Sequence, residues 1–296
     1  MLATLAALAS LAAIARLHIV AIGAMGTLTF AYALCGERPW LLALLCACDW
    51  FVVNLLNRVV DLKEDAANRI TGTELVARHK RAVLVVGFGA LAISFVATAV
   101  LVPALVPFRV AFHALGFAYN WRLLPWPGGW RRIKELAFWK NTASATGFML
   151  TVFCYPLATH ERLASVTLAT VACAAAFFFL FELSYEVLYD LRDVEGDRLA
   201  GVRTWPVIFG PRGGFLVAVG LMVSSFVLIA VAYALGAVPW RIAIMGAAPL
   251  MQLAIARYVV RRGITSRDCI MITWMGTALL GGWHVWEALG LPGSGA

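Results

Sequence analysis

Long apolar runs dominate this sequence, and they break only at glycine, proline or clusters of charge. A helix needs about 20 apolar residues to cross the hydrocarbon core of a bilayer. Lipid offers no partner to free backbone groups, so only helices or closed barrels can span it. Only 14% of the 296 residues are charged, against about 25% in soluble domains. We therefore predict an all-α, multi-pass membrane helical bundle that forms a single domain over residues 1–296.

The apolar runs divide into nine candidate transmembrane helices. Their approximate bounds are 17–36, 39–57, 82–102, 108–121, 136–157, 164–188, 213–236, 239–256 and 269–287. If the connecting segments alternate between two sides, all but four of the 24 Lys and Arg residues fall on one side. The four exceptions are Arg38, Arg109, Arg162 and Arg241. Because cytoplasmic loops carry the excess of basic residues, we predict a cytoplasmic N-terminus in the cell (inner) membrane.

The formal net charge of +8 does not by itself indicate nucleic-acid binding. Nucleic-acid-binding proteins carry basic patches or stripes, often interleaved with aromatic residues, and no such stretch is present. The positive-inside distribution accounts for the charge instead. We therefore expect membrane lipid, and no nucleic acid, among the partners.

An acidic ladder opens the first of two long polar segments on the basic side, residues 58–81. Asn57, Asp61 and Asp65 are four residues apart, so on a helix their side chains share one face. Stacked carboxylates repel one another unless a cation lies between them, and Mg²⁺ prefers such oxygen ligands. The spacing therefore indicates a metal site facing the cytoplasm.

A second acidic ladder lies in the other polar segment, residues 189–212. Asp193 and Asp197 are again four residues apart, and Glu186 and Asp190 lie close by. Two such ladders at corresponding helix ends suit two metal ions that clamp the phosphates of a substrate. Arg and Lys residues among the acids are candidates to neutralise phosphate oxygens: Arg58, Lys63, Arg69, Arg192, Arg198 and Arg203.

Interleaved acids and bases near a membrane surface also form solvated segments with weak ion pairs. Spacing alone does not separate that interpretation from metal binding, although two ladders among 16 acidic residues are better evidence than one. Asp49 is an expensive acid inside the second span. Its direction on the helix differs from that of Asn57 by about 80°, so we do not include Asp49 in the ladder.

At its two ladders the chain resembles the UbiA superfamily of intramembrane prenyltransferases. The first family motif, NxxxDxxxD, is matched by Asn57, Asp61 and Asp65, and the Asp-rich DxxxD motif by Asp193 and Asp197. The resemblance implies nine transmembrane helices with both motifs on cytoplasmic loops. It also implies two Mg²⁺ ions on an isoprenyl diphosphate whose apolar tail lies between the helices.

The resemblance also assigns roles to individual residues. Asp61, Asp193 and Asp197 are the catalytic candidates, and with Asn57 and Asp65 they are the candidate metal ligands. Two further acids are weaker metal-ligand candidates, Glu186 and Asp190. The acids would serve through the metals, since diphosphate leaves readily only when its growing charge is neutralised.

The chain departs from the family pattern in its basic residues. Many members have Tyr-x-x-x-Lys after the fourth helix, whereas residues 119–123 here read YNWRL, without the lysine. Arg122, Lys134 and Lys140 are candidates to replace it. Lys140 and Asn141 resemble the start of the family's fifth helix, and we count both with Arg122 among the substrate-binding residues. The Arg-Pro pair that follows the first motif in many members is also missing.

The sequence therefore predicts a Mg²⁺-dependent enzyme that moves an isoprenyl chain from its diphosphate onto a lipophilic acceptor. An aromatic acceptor is the leading hypothesis. Transfer to an alcohol, as in chlorophyll or ether-lipid synthesis, and terpene cyclisation are alternatives within the same class. A multi-pass transporter is the alternative from another class, but transporters place ionisable residues at the membrane midplane. Here the acids lie at one end of the spans.

Overall fold

The protein is described by a computed structural model over residues 12–160, 163 and 166–293. In chain order its helices are α1 (Leu17–Cys35), α2 (Trp40–Val60), α3 (Leu62–Ala67), α4 (Thr73–Arg78), α5 (Lys80–Leu101), α6 (Val106–Asn120), α7 (Trp139–Met149), α8 (Tyr155–Thr159), α9 (Leu168–Leu199), α10 (Trp205–Ala234), α11 (Trp240–Ala243), α12 (Ala247–Arg261) and α13 (Ser266–Ala288). A hairpin of β1 (Leu124–Trp126) and β2 (Gly129–Arg131) lies between α6 and α7, and a π-helical turn (Leu150–Cys154) joins α7 to α8.

Six helical segments of the described ranges are long and apolar enough to cross a membrane. They are α1, α2, α5, α9, α10 and the segment Trp240–Arg261, which contains α11 and α12. The remaining predicted spans fall on α6, on α7 with α8, and on α13. At 15 residues, α6 is about 23 Å long, less than the hydrocarbon core of about 30 Å. The first residues of the predicted span 164–188 lie outside the described residues, as does Arg162.

The prediction that residues 189–212 form a loop is wrong, because this segment is mostly helical. Helix α9 continues to Leu199 and α10 begins at Trp205, so only residues 200–204 separate them. With 32 residues α9 is about 48 Å long, and its last turns reach past a hydrocarbon core of about 30 Å. The second ladder therefore lies on a rigid helix end. Residues 58–81 likewise form the end of α2 and the short helices α3 and α4.

The charge partition counts Arg109 among the basic residues of the far side, at the start of the predicted span 108–121, but this side chain does not face solvent. It is fully buried in the first turn of α6 and forms an ion pair with Asp49 of α2. It also donates to Thr98 Oγ1 of α5 at 2.5 Å. His113 Nε2 and Tyr155 Oη complete the network, at 2.7 and 2.8 Å from the Asp49 carboxylate. Asp49 is thus bonded within the bundle, away from the ladders.

The π-helical turn fixes an aromatic wall in the middle of the bundle. Its Thr151 accepts a hydrogen bond from Trp50 Nε1 at 3.1 Å, and its carbonyl accepts one from Thr27 Oγ1 at 3.1 Å. Such turns are rare and occur frequently at functional sites. The Trp50 ring then stacks on Phe148 of α7, with centroids 4.0 Å apart. The wall is therefore held from α1, α2 and α7 together.

Candidate active site

A polar cavity of about 230 Å³ opens where α2, α3, α6, α7 and α9 meet. Half of the chain's 16 acidic residues line it: Asp61, Glu64, Asp65, Glu182, Glu186, Asp190, Asp193 and Asp197. Four basic side chains also line it: Arg16, Lys134, Lys140 and Arg192. Several of the acids are buried, including Asp61 at 7% exposure and Asp190 at 1%. The ladders are therefore not a solvated surface, and the cavity has an excess of negative charge.

The first ladder descends the wall formed by the end of α2 and by α3. Asn57, Asp61 and Asp65 all line the cavity, so the four-residue spacing does place them together. The Asn57 Oδ1 atom is buried and has no hydrogen-bond partner among the described residues. Burial raises the pKa of Asp65, although Arg16 and Arg58 act in the opposite direction. A bound cation would satisfy the free amide oxygen and favour the charged carboxylate.

A lysine from the segment after the β-hairpin closes the first ladder. Lys134, only 2% exposed, places its Nζ 2.5 Å from Asp61 Oδ1 and 2.7 Å from Glu64 Oε2. Arg132 donates to Glu135 at 2.8 Å and to Glu64 at 3.2 Å, which fixes this segment against α3. The segment after the hairpin thus places the Lys134 ammonium group against the acids of the first ladder.

A second lysine bridges the acids of α9. Lys140 Nζ lies 2.8 Å from both Asp190 Oδ1 and Asp197 Oδ2. The neighbouring Asn141 donates to Asp190 Oδ2 at 2.7 Å. Glu186, one turn deeper, accepts a hydrogen bond from Ser144 at 2.7 Å. One face of α7 therefore supplies the partners of one face of α9.

The two ladders are joined across the cavity by Asn68. Its Oδ1 accepts a hydrogen bond from the backbone N–H of Gly196 at 2.9 Å. A side chain at Gly196 would collide with Asn68, so the close approach of the segment after α3 to α9 requires glycine here. Asp193 lies beside this contact, paired with Arg192 at 2.5 Å.

Several basic residues chosen from the sequence do not line the cavity. Arg58 is fully buried, but it pairs with Asp65 and donates to the Thr71 carbonyl at 2.7 Å, which holds the loop before α4. The side chains of four others are exposed away from it: Lys63, Arg69, Arg122 and Arg198.

Sequence reasoning missed some of the lining residues. Arg16, Glu64 and Asn68 stand outside the four-residue spacing, and only the folded chain brings them to the cavity. Glu182 did carry a sequence feature, because it is an acid within an apolar helix and lies four residues before Glu186.

The donor set fits a hard divalent cation such as Mg²⁺. Carboxylate and amide oxygens are the protein ligands that Mg²⁺ and Ca²⁺ prefer, and Asn57 Oδ1 is an unpaired one. Within residues 12–160, 163 and 166–293, no three acidic, His or Cys side chains are already grouped for a metal ion. The Lys134 and Lys140 ammonium groups lie among the carboxylates instead.

An apolar cavity of about 380 Å³ continues from the polar one into the bundle. Its lining is rich in aromatic rings: Phe30, Phe148, Phe177, Phe178, Phe181, Trp283 and Trp286. The two cavities share four lining residues: Ile22, Phe148, Glu182 and Tyr185. The two neighbouring cavities thus place charged residues on one side of these four side chains and apolar residues on the other.

Comparison with known proteins gives a consistent picture. The model of the UbiA prenyltransferase family matches residues 19–277. Digeranylgeranylglyceryl phosphate synthase from Pyrococcus abyssi is 30% identical over 136 residues, which are 45% of this chain and 43% of that protein. The match thus spans less than half the length of this curated relative.

Solved structures show the same fold. A UbiA homolog from Archaeoglobus fulgidus bound to GPP and Mg²⁺ superposes with a TM-score of 0.70 at 15% identity, covering 93% of this chain and 97% of that one. The same homolog bound to DMAPP and Mg²⁺ gives a TM-score of 0.68 at 15% identity, covering 92% and 96%.

Proposed function

Since this chain belongs to the UbiA prenyltransferase family, we propose that it transfers an isoprenyl group from its diphosphate to an acceptor in a Mg²⁺-dependent reaction. The observation that carries the proposal is the cavity pair. Both acidic ladders and the lysines Lys134 and Lys140 converge on the polar cavity, and an aromatic-lined cavity lies directly beside it. An amphiphile with a diphosphate head and an apolar tail matches both ends of this space.

We assign the metal-binding role to Asn57, Asp61 and Asp65 on one wall and to Asp193 and Asp197 on the other, with Asp190 and Glu186 as further acids of the same cavity. Bound Mg²⁺ would stabilise the negative charge that develops on the departing diphosphate. The ligands bound to the Archaeoglobus homolog, GPP and Mg²⁺, support this assignment for a chain of the same fold.

The basic residues complete the electrostatic support. Lys134 contacts acids of α3 and its start, and Lys140 contacts acids of α9. We assign these two lysines the phosphate contacts for which the sequence lacks the family lysine. Each ammonium group can turn from a carboxylate to a phosphate oxygen because both lie in the same cavity. Fixed positive charge aimed at a leaving group is among the largest catalytic effects in enzymes.

The apolar walls protect the cation that forms when the allylic carbon–oxygen bond breaks. Trp50 and Phe148 stack at the inner end of the polar cavity. Aromatic faces attract cations, and apolar walls keep out water that would react with the intermediate. The geometry thus favours capture by a bound acceptor over hydrolysis.

We further propose an alcohol acceptor rather than the aromatic ring that the sequence favoured. The support is the name of the relatives, digeranylgeranylglyceryl phosphate synthase, which denotes prenyl transfer to a glyceryl phosphate. Aromatic acceptors and cyclisation remain the alternative outcomes of one assay. In it, the purified protein receives Mg²⁺, geranylgeranyl diphosphate and either geranylgeranylglyceryl phosphate or 4-hydroxybenzoate, and product masses identify the acceptor.

The proposed topology has nine spans, with the N-terminus and the polar cavity on the cytoplasmic side of the cell membrane. Its support is the match between each predicted span and a helical segment, together with the basic residues at one end of the spans. Cysteines introduced in the loop before α2 and after α9, labelled in intact cells, test the orientation.

The decisive test of the site compares Asp193→Asn with Glu195→Gln. Glu195 lies on the same turn of α9 but is exposed and does not line the cavity. We expect Asp193→Asn to abolish Mg²⁺-dependent diphosphate release and Glu195→Gln to retain it. Equal activity of the two variants would refute the metal assignment.

A further inference from the structure

Glu182 stands at the junction of the two cavities and is one of four residues that line both. It is 7% exposed, in the membrane-spanning part of α9. The other polar residue of the junction, Tyr185, already donates its hydroxyl to the Ile272 carbonyl at 3.0 Å. No hydrogen bond engages the Glu182 carboxyl within the part of the chain that the structure describes. A buried acid without a partner is costly in a membrane helix, which points to a ligand.

The position of Glu182 along α9 relates it to the reacting carbon. It continues the face that carries Glu186 and Asp190 at four-residue spacing, and it lies about 12 Å deeper than Asp190. Glu186 accepts a hydrogen bond from Ser144 and is therefore engaged. A donor with its diphosphate at the ladders and its tail in the apolar cavity must place its allylic carbon between them. The junction is that place.

We infer that Glu182 is the residue that binds the acceptor's hydroxyl group and takes its proton, an inference that rests on the proposed prenyl transfer to an alcohol. The bond from the allylic carbon to the diphosphate oxygen breaks, and its electron pair leaves on the diphosphate. The acceptor oxygen donates a pair to that carbon and forms the new bond. Its proton passes to the Glu182 carboxylate, which returns it to water when the product leaves.

The test compares Glu182→Gln with Ser184→Ala in the purified full-length protein. Glutamine preserves shape and hydrogen bonding but does not accept the proton. Ser184 is buried on the same helix, bonds to the Phe181 carbonyl and to Gln252, and lines neither cavity. Three quantities are measured with geranylgeranyl diphosphate: Mg²⁺-dependent binding, hydrolysis without acceptor, and transfer to geranylgeranylglyceryl phosphate or 4-hydroxybenzoate.

For Glu182→Gln we expect binding and hydrolysis close to those of the unmodified protein, and transfer reduced roughly 100-fold or more, as for the loss of a general base. Ser184→Ala should retain all three. Unchanged transfer by Glu182→Gln would overturn the inference, as would an equal loss of binding, hydrolysis and transfer, which indicates a structural role. If the unmodified protein transfers only to 4-hydroxybenzoate, the inference about Glu182 fails while the proposed prenyl transfer stands. If it transfers to neither acceptor, the proposed function itself fails and the inference with it.

Discussion

Two lysines that are largely shielded from solvent distinguish the polar cavity from an ordinary cluster of surface charges. Lys134 and Lys140 each contact two carboxylates. The other Arg and Lys side chains that line the cavity are Arg16 and Arg192. If a lysine ammonium group turns from a carboxylate to a phosphate oxygen of the donor, it is paired with a negative charge both before and after the donor binds. Pairing is necessary because an isolated buried charge is costly.

We expect Lys134→Met to lower kcat/KM for the isoprenyl diphosphate by roughly 100- to 1000-fold, as removal of one preorganised donor does elsewhere. The matched control is Lys63→Met, because Lys63 is exposed nearby and does not line the cavity. Steady-state kinetics of diphosphate release measure both. If the two variants lose activity equally, general surface charge rather than Lys134 governs the donor.

Asp49 gives a prediction about stability instead of activity. Asp49→Ala leaves the buried Arg109 without its counter-charge, a loss that costs about 3–5 kcal/mol in other proteins. We expect a lower melting temperature in detergent, with unchanged turnover per folded molecule. The double variant Asp49→Leu/Arg109→Leu should recover much of the stability. A turnover defect in folded Asp49→Ala would contradict the separation of this network from the site.

Spacing predicted the ladder residues because helical periodicity fixes which side chains share a face. The same reasoning places Arg58 on a different face of α2 from Asn57, since the side chains of adjacent helical residues point about 100° apart. Arg58 accordingly faces Asp65 and the loop before α4 rather than the cavity. Lys134 depends on a contact across some 70 residues of sequence, with Asp61. A periodic pattern contains no information on such a contact.

Helix α9 shows how one element sets the depth of several groups at once. The sequence indicated a loop where hydrophobicity ended, but charged residues such as Glu and Arg are good helix formers outside lipid. The helix therefore continues past the apolar span to Leu199. Its rigidity fixes the spacing of every acid between Glu182 and Asp197.

The contact between the first motif segment and α9 yields a prediction at the same scale. Gly196→Ala places a methyl group against Asn68 and should push the segment after α3 away from α9. We expect turnover to fall at least about 10-fold, since small misplacements of binding groups are costly in catalysis. Gly220→Ala is the control, because Gly220 lies in α10 with open space around it.

Kinetics with both variants and a melting curve check this prediction. The melting temperature shows whether Gly196→Ala remains folded. A folded Gly196→Ala with unchanged turnover would mean that the two ladders do not need the Asn68 contact.

At the scale of the molecule, donor and metal should stabilise the fold together. Lys134 and Lys140 each pair with two carboxylates of the cavity, so Mg²⁺ alone must compete with them. Ligand at 100 times its dissociation constant adds about 2.7 kcal/mol to the free energy of unfolding. We expect a clear rise in melting temperature with Mg²⁺ and geranylgeranyl diphosphate, and a small one with either alone.

The same melting curves are measured for Asp193→Asn. We expect this variant to lose the rise in melting temperature that Mg²⁺ and geranylgeranyl diphosphate produce together. A full shift with Mg²⁺ alone would show that the lysines do not compete for the carboxylates. A full shift in Asp193→Asn would place the ligand elsewhere in the protein.

The sequence predicted part of the overall architecture. Apolar run length identified helices, since lipid permits few other structures. The sequence did not show that Arg109 would be buried with Asp49, because a charge at a span end can face either water or a partner inside the bundle.

The length of α9 bears on how a substrate arrives. An isoprenyl diphosphate dissolved in a bilayer keeps its head at the water interface and its tail among the acyl chains. Along α9 the protein repeats this stratification, with Asp197 near the helix end and Glu182 about 22 Å deeper. The diphosphate head and the apolar tail therefore stay at the same depth in the membrane when the substrate enters the protein. We expect the substrate to enter laterally from one leaflet, without passage of the diphosphate through the hydrocarbon core.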